Sequence, residues 1–217
     1  MIPAKEYYKT CYFDIETGPV DEDELLAIEP VHEPPKNFRD PDKIRDAIAE
    51  KSRAWRDKAA LSPLTGQVLA IGWRIDGKSE FLVGMDEMAI LQRWWEVYSD
   101  HRPAYWVGHN IIGFDVPYLI RRSWKYGLSL PIEVMASRGP SPEIWVDTMN
   151  IWSCGAYGPE GRVSLDNLAQ FLGVGRKNGS GANFAQLLRG NKDEALDYLN
   201  NDLVLTEKVY EKIRRNP

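Results

Sequence analysis

Ala104-Tyr105-Trp106-Val107-Gly108-His109-Asn110-Ile111-Ile112-Gly113-Phe114-Asp115 decides the fold class of this chain. Residues 104–108 are a short apolar run and read as a buried strand. The strand leads directly into Gly108-His109-Asn110, and the pattern beyond it predicts a helix over Phe114 to Tyr126. Pro117 is tolerable there because it falls in the first turn. Strand, tight connection and helix is the unit from which α/β sheets are built.

Working outward, residues 7–14 read as an aromatic and β-branched strand, and Gln67 to Arg74 and Ser79 to Gly84 as two more. Asp76-Gly77 between the latter pair signals a hairpin turn. A helix is expected over 86–99, and a strand over Ile144–Asp147 after the Pro-rich stretch 139–142. Helices at about 164–172, 182–189 and 192–215 complete the C-terminal third. The expectation is an α/β domain, a central mixed β-sheet flanked by α-helices.

Residues 18–66 interrupt this order. Their first half carries Asp21-Glu22-Asp23-Glu24 and prolines 19, 30, 34 and 35 and is not read as helix. Their second half is: Asp40 can cap, Pro41 suits the first position, and residues 44, 47, 48, 54, 55, 59 and 61 give an apolar stripe. Two readings stay open for the insertion: a solvated helix packed on one edge, or a lid beside the site, since it begins right after Glu16.

Among 217 residues, 43% are hydrophobic, which suits a single domain with a substantial core. No apolar run approaches the ~20 residues of a membrane span, and Met1 to Lys9 lacks a signal-peptide core, so a cytoplasmic address is expected. Cys11 and Cys154 match no metal spacing. The net charge of −5 is unusual for a nucleic-acid binder. Residues 18–60 hold 11 acidic and 8 basic side chains, leaving 21 acidic and 19 basic elsewhere. That balance argues against tight binding of long duplexes and not against gripping a few nucleotides.

Three motifs carry chemistry. Asp14 and Glu16, in Phe13-Asp14-Ile15-Glu16-Thr17, lie two apart at a strand end, so both point to one sheet face while Ile15 points into the core. Two carboxylates on one face repel unless a cation lies between them. Asp115 sits at the positive end of its helix, five residues after Asn110. Tyr198 and Asp202 lie one helical turn apart on one face. His109 reads as structural or as a support behind the ligands, Asp147 and Asp166 as helix starts, and Trp73, Trp106 and Trp145 as core. Arg121, Arg122 and Lys125 form a basic patch suited equally to solvent or to phosphates. Gly173 to Gly181 reads as a flexible connection, with Arg176 or Lys177 touching phosphates as the alternative.

Taken together and in this order, the motifs resemble the DEDD superfamily of 3′–5′ exonucleases. The resemblance is to the tyrosine variant (DEDDy), as in the proofreading domain of family B DNA polymerases and its stand-alone relatives. The histidine variant would need histidine at position 197, which holds Asp197. The resemblance runs from residue 8 to about 210 and implies a ribonuclease H-like fold, one exonuclease domain over 1–217 with the insertion at 18–66. It implies two Mg²⁺ or Mn²⁺ ions, one held by Asp14, Glu16 and Asp202, the other by Asp14 and the phosphate with Asp115 in support. Tyr198 would orient the attacking water, since an unperturbed phenol titrates near about 10. Thr17, Asn110 and Phe114 would hold the terminal nucleotide.

The implied activity is release of nucleoside 5′-monophosphates from 3′ ends of single-stranded DNA, or less favourably RNA. The alternatives are a ribonuclease H-like endonuclease, a non-catalytic nucleic-acid-binding module, and a subunit active only beside a separate polymerase or repair partner.

Overall fold

Lys9–Pro19 is a single 11-residue strand, β1, in a computed structural model that describes residues 8–84, 86–136, 139–156, 158–179 and 184–214. Tyr7, where the predicted strand began, lies outside the described residues, as do Ala182 and Asn183 of the predicted helix 182–189 and Arg215 of 192–215. The chain divides into two units, one from the described residues of 1–16 and 68–217, the other Thr17–Gln67.

In the larger unit the predicted hairpin is present. β2 (Gly66–Ile75) and β3 (Lys78–Val83) pair antiparallel, with Ile75 opposite Lys78. Asp76 and Gly77 both take positive φ, 50° and 77°, the two-residue turn whose twist suits a hairpin. β4 (Ala104–Gly108) runs parallel to β1, placing Tyr12 beside Val107, and β7 (Trp145–Asp147) runs parallel to β4. The sheet order is β3-β2-β1-β4-β7; β5 (Met135–Ala136) and β6 (Gly139–Pro140) form a separate ribbon. The fold is therefore α/β with a central mixed sheet flanked by helices, the architecture of ribonuclease H-like proteins.

Alternation along β1 assigns its two faces. Cys11, Phe13 and Ile15 join a core with Trp94 of α3 (Glu87–Asp100) and Leu119 of α4 (Asp115–Lys125). Trp106, Trp73 and Trp145 lie in the same core, as expected, and the Phe13 and Trp94 rings stack at 5.3 Å. Burying a side chain such as Phe13 fully contributes about 1.5–3 kcal/mol. Burial also pushes the Cys11 thiol up to about 12, so it stays protonated.

Tyr12, on the other face, donates from its hydroxyl to Glu211 Oε1 at 3.2 Å on α8 (Lys192–Arg214). That helix crosses the sheet at Gly72, where a Cβ would stand 3.0 Å from both Leu199 and Leu203. Glycine there is what lets helix and strand approach. Leu168 and Ala169 of α6 (Leu165–Phe171) pack on Leu205 and Val209, and Phe184 of α7 (Phe184–Gly190) packs on Tyr198. A further short helix, α5 (Thr148–Ser153), follows β7.

The smaller unit contains α1 (Glu22–Ile28) and α2 (Pro41–Arg56). α2 begins as expected, with Asp40 accepting from the Asp42 N–H at 2.9 Å. α1 corrects the reading of the acidic run. Asp21 caps it by accepting from the Glu24 N–H at 2.8 Å, and Glu22, Asp23 and Glu24 sit at its positive end. The apolar stripe is only partly covered: no residue of α2 itself is fully buried, Ala59 beyond it is, and Leu61 is exposed. Val20, Leu25 and Ala59, with Trp55, make this unit's small cluster, and Arg56 binds Glu29 Oε2 at 2.6 Å.

Among the described residues, no helix is long and apolar enough to cross a membrane.

Candidate metal centre

Because β1 alternates, Asp14 and Glu16 share the face on which α8 lies, and α8 turns Asp202 toward them. One oxygen from each of these three carboxylates lies within 4.8 Å of the others. Glu16 and Asp202 are buried, at 6% and 3% exposure, and Asp14 is half-buried. Tyr198, one turn before Asp202 on α8, is buried as well.

Asp115, the fourth predicted carboxylate, is placed differently. It is the first residue of α4, buried, and its Oδ1 accepts from the Ile15 backbone N–H at 3.2 Å. It is thus bonded to the strand between Asp14 and Glu16, but it is not one of the three clustered carboxylates.

The turn that delivers Asp115 depends on Gly108. A Cβ there would lie 2.1 Å from Ile111 Cγ2 and 3.0 Å from the Phe13 carbonyl oxygen, so no other residue fits without displacing β1 or the turn. Asn110 adopts a left-handed φ of 62° at the corner. Asp147 holds the corner in place: Oδ1 accepts from Asn110 N–H at 2.8 Å and Met149 N–H at 2.9 Å, and Oδ2 from Ile112 N–H at 3.0 Å. The helix-start reading of Asp147 is right as far as α5, but the motif contacts were not foreseen. The His109 ring nitrogens lie 2.9 Å from Thr148 Oγ1 and 2.8 Å from the Val163 carbonyl oxygen.

The predicted nucleotide contacts divide between the units. Asn110 is half-buried, and the half-buried Phe114 ring packs at 5.3 Å on Tyr118. Thr17 continues β1 and belongs to the smaller unit. The strand does not end at Glu16 as expected, since β1 runs on to Pro19.

Two basic features also differ from expectation. Arg122 is 2% exposed and binds Glu87 through Nε at 2.8 Å and Nη2 at 2.5 Å, so it belongs to no surface patch. Lys177, in the glycine-rich run, places Nζ 2.5 Å from Asp202 Oδ2 and 5.0 Å from the Tyr198 ring centre. Gly181 and Ser180 of that run lie outside the described residues.

Crowding shifts the acids strongly. Desolvation, then the charges of Asp115, Asp202 and Glu16, holds Asp14 well above the usual carboxylate range, with Lys177 opposing. Glu16 is raised by desolvation and by Asp202. Asp115 is pushed up to about 7 by burial, against the pull of the Ile15 N–H. Asp202 is raised by burial, while Lys177 and Tyr198 bring it back down. Tyr198 is raised by burial and by Asp202, so its hydroxyl keeps its proton.

These residues fit a divalent cation. Three oxygen donors converge, and Asp202 Oδ1 is buried with no hydrogen-bond partner among the described residues. An unpaired buried carboxylate oxygen is costly, and a hard cation satisfies it. Asp14, Glu16 and Asp202 can therefore hold a metal ion.

No curated protein matches the chain. The family model for the exonuclease domain of family B DNA polymerases matches residues 69–146, which include the turn from Asn110 to Asp115 but neither Asp14 and Glu16 nor Tyr198 and Asp202. That match, the sheet order and the acidic cluster support a DEDD-like exonuclease-superfamily fold, with the catalytic potential of a metal-dependent nuclease.

Proposed function

We propose that the protein is a 3′–5′ exonuclease of the tyrosine variant, using two Mg²⁺ or Mn²⁺ ions. It hydrolyses terminal phosphodiesters of single-stranded nucleic acid, DNA ahead of RNA, and releases nucleoside 5′-monophosphates. The observation that carries this reading is the meeting of Asp14, Glu16 and Asp202 beside Tyr198 on one face of the sheet.

Asp14, Glu16 and Asp202 would hold the first ion, and Asp115, bonded to β1, would support the second. When bound, such ions supply a nucleophilic hydroxide and neutralise charge on the attacking and leaving oxygens. The chain's own groups then have to orient. Tyr198 keeps its proton and positions the attacking water rather than deprotonating it. Asn110 and Phe114, on the turn before α4, hold the terminal nucleotide by hydrogen bonding and by stacking.

The test is digestion of 5′-labelled single-stranded DNA and RNA with Mg²⁺, Mn²⁺ or EDTA, alongside Asp14→Ala and a circular substrate. A metal-dependent ladder shortening from the 3′ end, lost in Asp14→Ala and on the circle, is expected. Cleavage of the circle would make the protein an endonuclease. No cleavage of any substrate by folded protein would overturn the catalytic reading.

A further inference from the structure

Helices α5 and α6 both start at the candidate site and lead away from it to an exposed aromatic pair. α5 starts at the corner that carries Asn110. Asp147 accepts there from the Asn110 and Ile112 N–H groups, and Thr148 Oγ1 donates to the Gly108 carbonyl at 3.1 Å. α6 starts beside Asp202: Asp166 Oδ1 accepts at 2.7 Å from the backbone N–H of Lys177, whose ammonium lies 2.5 Å from Asp202 Oδ2. Five residues beyond Asp147 and Asp166 come Trp152 and Phe171, about 7.5 Å along each helix. The two rings meet edge to face, with centroids 5.4 Å apart and planes at 72°.

Folding does not account for Phe171. Its side chain is 72% exposed, and Ile151, next to Trp152, is exposed as well, while Trp152 is half-buried against the α6–α8 cluster. A ring left in water gains little of the stability that burial gives. The charged residues from Thr148 to Arg176 are Glu160, Arg162, Asp166 and Arg176. Asp166 is spent on the Lys177 N–H and on Gln170 Nε2, each at 2.7 Å, which leaves two exposed arginines against one exposed carboxylate. Aromatic rings with arginines beside them suit a single strand, whose bases stack and whose phosphates pair with guanidinium groups. An apolar peptide would use the rings and give the arginines nothing.

We propose that Phe171 and Trp152 form a stacking platform for bases of the single strand just upstream of its terminal nucleotide, with Arg162 and Arg176 for its phosphates. The proposal rests on the exonuclease reading above and adds where the rest of the substrate lies: from the Asn110 corner outward along α5 and α6. The pair holds substrate away from the scissile bond, so its loss raises KM and leaves kcat unchanged.

The experiment is fluorescence anisotropy of short 5′-labelled oligothymidylates with the full 217-residue chain, in EDTA at low salt. One strand is intact; the other carries abasic residues at the second to fourth positions from its 3′ end. Wild type, Phe171→Ala and Phe171→Tyr are compared, and digestion with Mg²⁺ is read in parallel. Phe171→Ala should bind the intact strand at least about fivefold more weakly than wild type, the lower end of what stacking one base is worth. Phe171→Tyr keeps the ring and should stay near wild type. On the abasic strand all three should bind alike, and Phe171→Ala should digest the intact strand with a raised KM and the wild-type kcat.

Equal binding of the intact strand by Phe171→Ala and wild type overturns the proposal. So does a loss of the same size on the abasic strand, since the ring then serves something other than bases. Either result leaves the exonuclease reading standing wherever the metal-dependent ladder is seen. Base-dependent binding through Phe171 in a protein that digests nothing upholds the platform and removes the exonuclease. If wild type binds neither strand, in EDTA or with Mg²⁺, the platform and the proposed substrate fail together.

Discussion

Asp115 Oδ1 accepts a hydrogen bond at 3.2 Å from the backbone N–H of Ile15, the residue between Asp14 and Glu16. The fourth carboxylate is thus tied to the strand that carries two of the others. It reads as a support for the cluster more than as a member of it. Partners outside a metal's immediate ligands typically cost about 10–100-fold in affinity or activity when removed. Asp115→Asn should accordingly lower metal-dependent digestion by roughly that factor and leave measurable Mn²⁺ binding, whereas Asp14→Ala or Asp202→Ala should remove both. Complete loss of Mn²⁺ binding in Asp115→Asn would make it a direct ligand.

The raised carboxyls predict an unusual pH dependence. Burial pushes Asp115 up to about 7 in the folded protein, above its value in an unfolded chain. The folded state therefore holds this proton more tightly, and the resulting stability is complete below about pH 3.9 and lost as pH rises through the folded value. In EDTA, the melting temperature of wild type minus that of Asp115→Asn should fall across that window. Metal binding needs ionised carboxylates, so the Mn²⁺-induced gain should grow with pH over the same range. A difference that stays flat in EDTA would show that Asp115 is ionised throughout.

What the sequence disclosed depended on range. The period-two placement of Asp14 and Glu16, the one-turn spacing of Tyr198 and Asp202, and the Asp76-Gly77 hairpin are local geometry, and all are found. What stayed hidden was decided between distant segments. Strand β1 continues past the carboxylate pair through Thr17-Gly18 to Pro19. Asp21 to Glu24 open α1 because Asp21 caps it, a bond made within a proline-rich half of the insertion. Arg122 looked exposed because Glu87, its partner, lies 35 residues earlier. Lys177 sat in a glycine-rich run that gave no sign of ending on Asp202.

The Arg122–Glu87 pair gives a stability prediction. Glu87 also accepts from Val68 N–H at 2.8 Å and from the Tyr126 hydroxyl at 2.9 Å, so its carboxylate links α3, α4 and β2. Removing one partner of a buried pair costs about 3–5 kcal/mol because the other charge stays behind. Arg122→Met should lose about that much by urea unfolding with an unchanged m-value. Adding Glu87→Gln should restore part of it, since the amide oxygen still serves Val68 N–H and no bare charge remains. A double variant less stable than Arg122→Met would refute this account.

Asp147 offers a separate test of how the Asn110 corner is held. Its two oxygens satisfy three backbone N–H groups, two of them on the turn that leads to Asp115. Each donor left unpaired in a buried site costs about 1–3 kcal/mol. Asp147→Ala should therefore destabilise the protein by at least about 2 kcal/mol and speed hydrogen exchange at the Asn110 and Ile112 amides. Asp147→Asn keeps one acceptor oxygen but turns an amine toward a donor, so it should fall between wild type and alanine. Because Asp115 follows from that corner, both variants should weaken Mn²⁺-dependent digestion more than Mn²⁺ binding itself. Wild-type exchange at both amides in Asp147→Ala would show that the corner holds without this carboxylate.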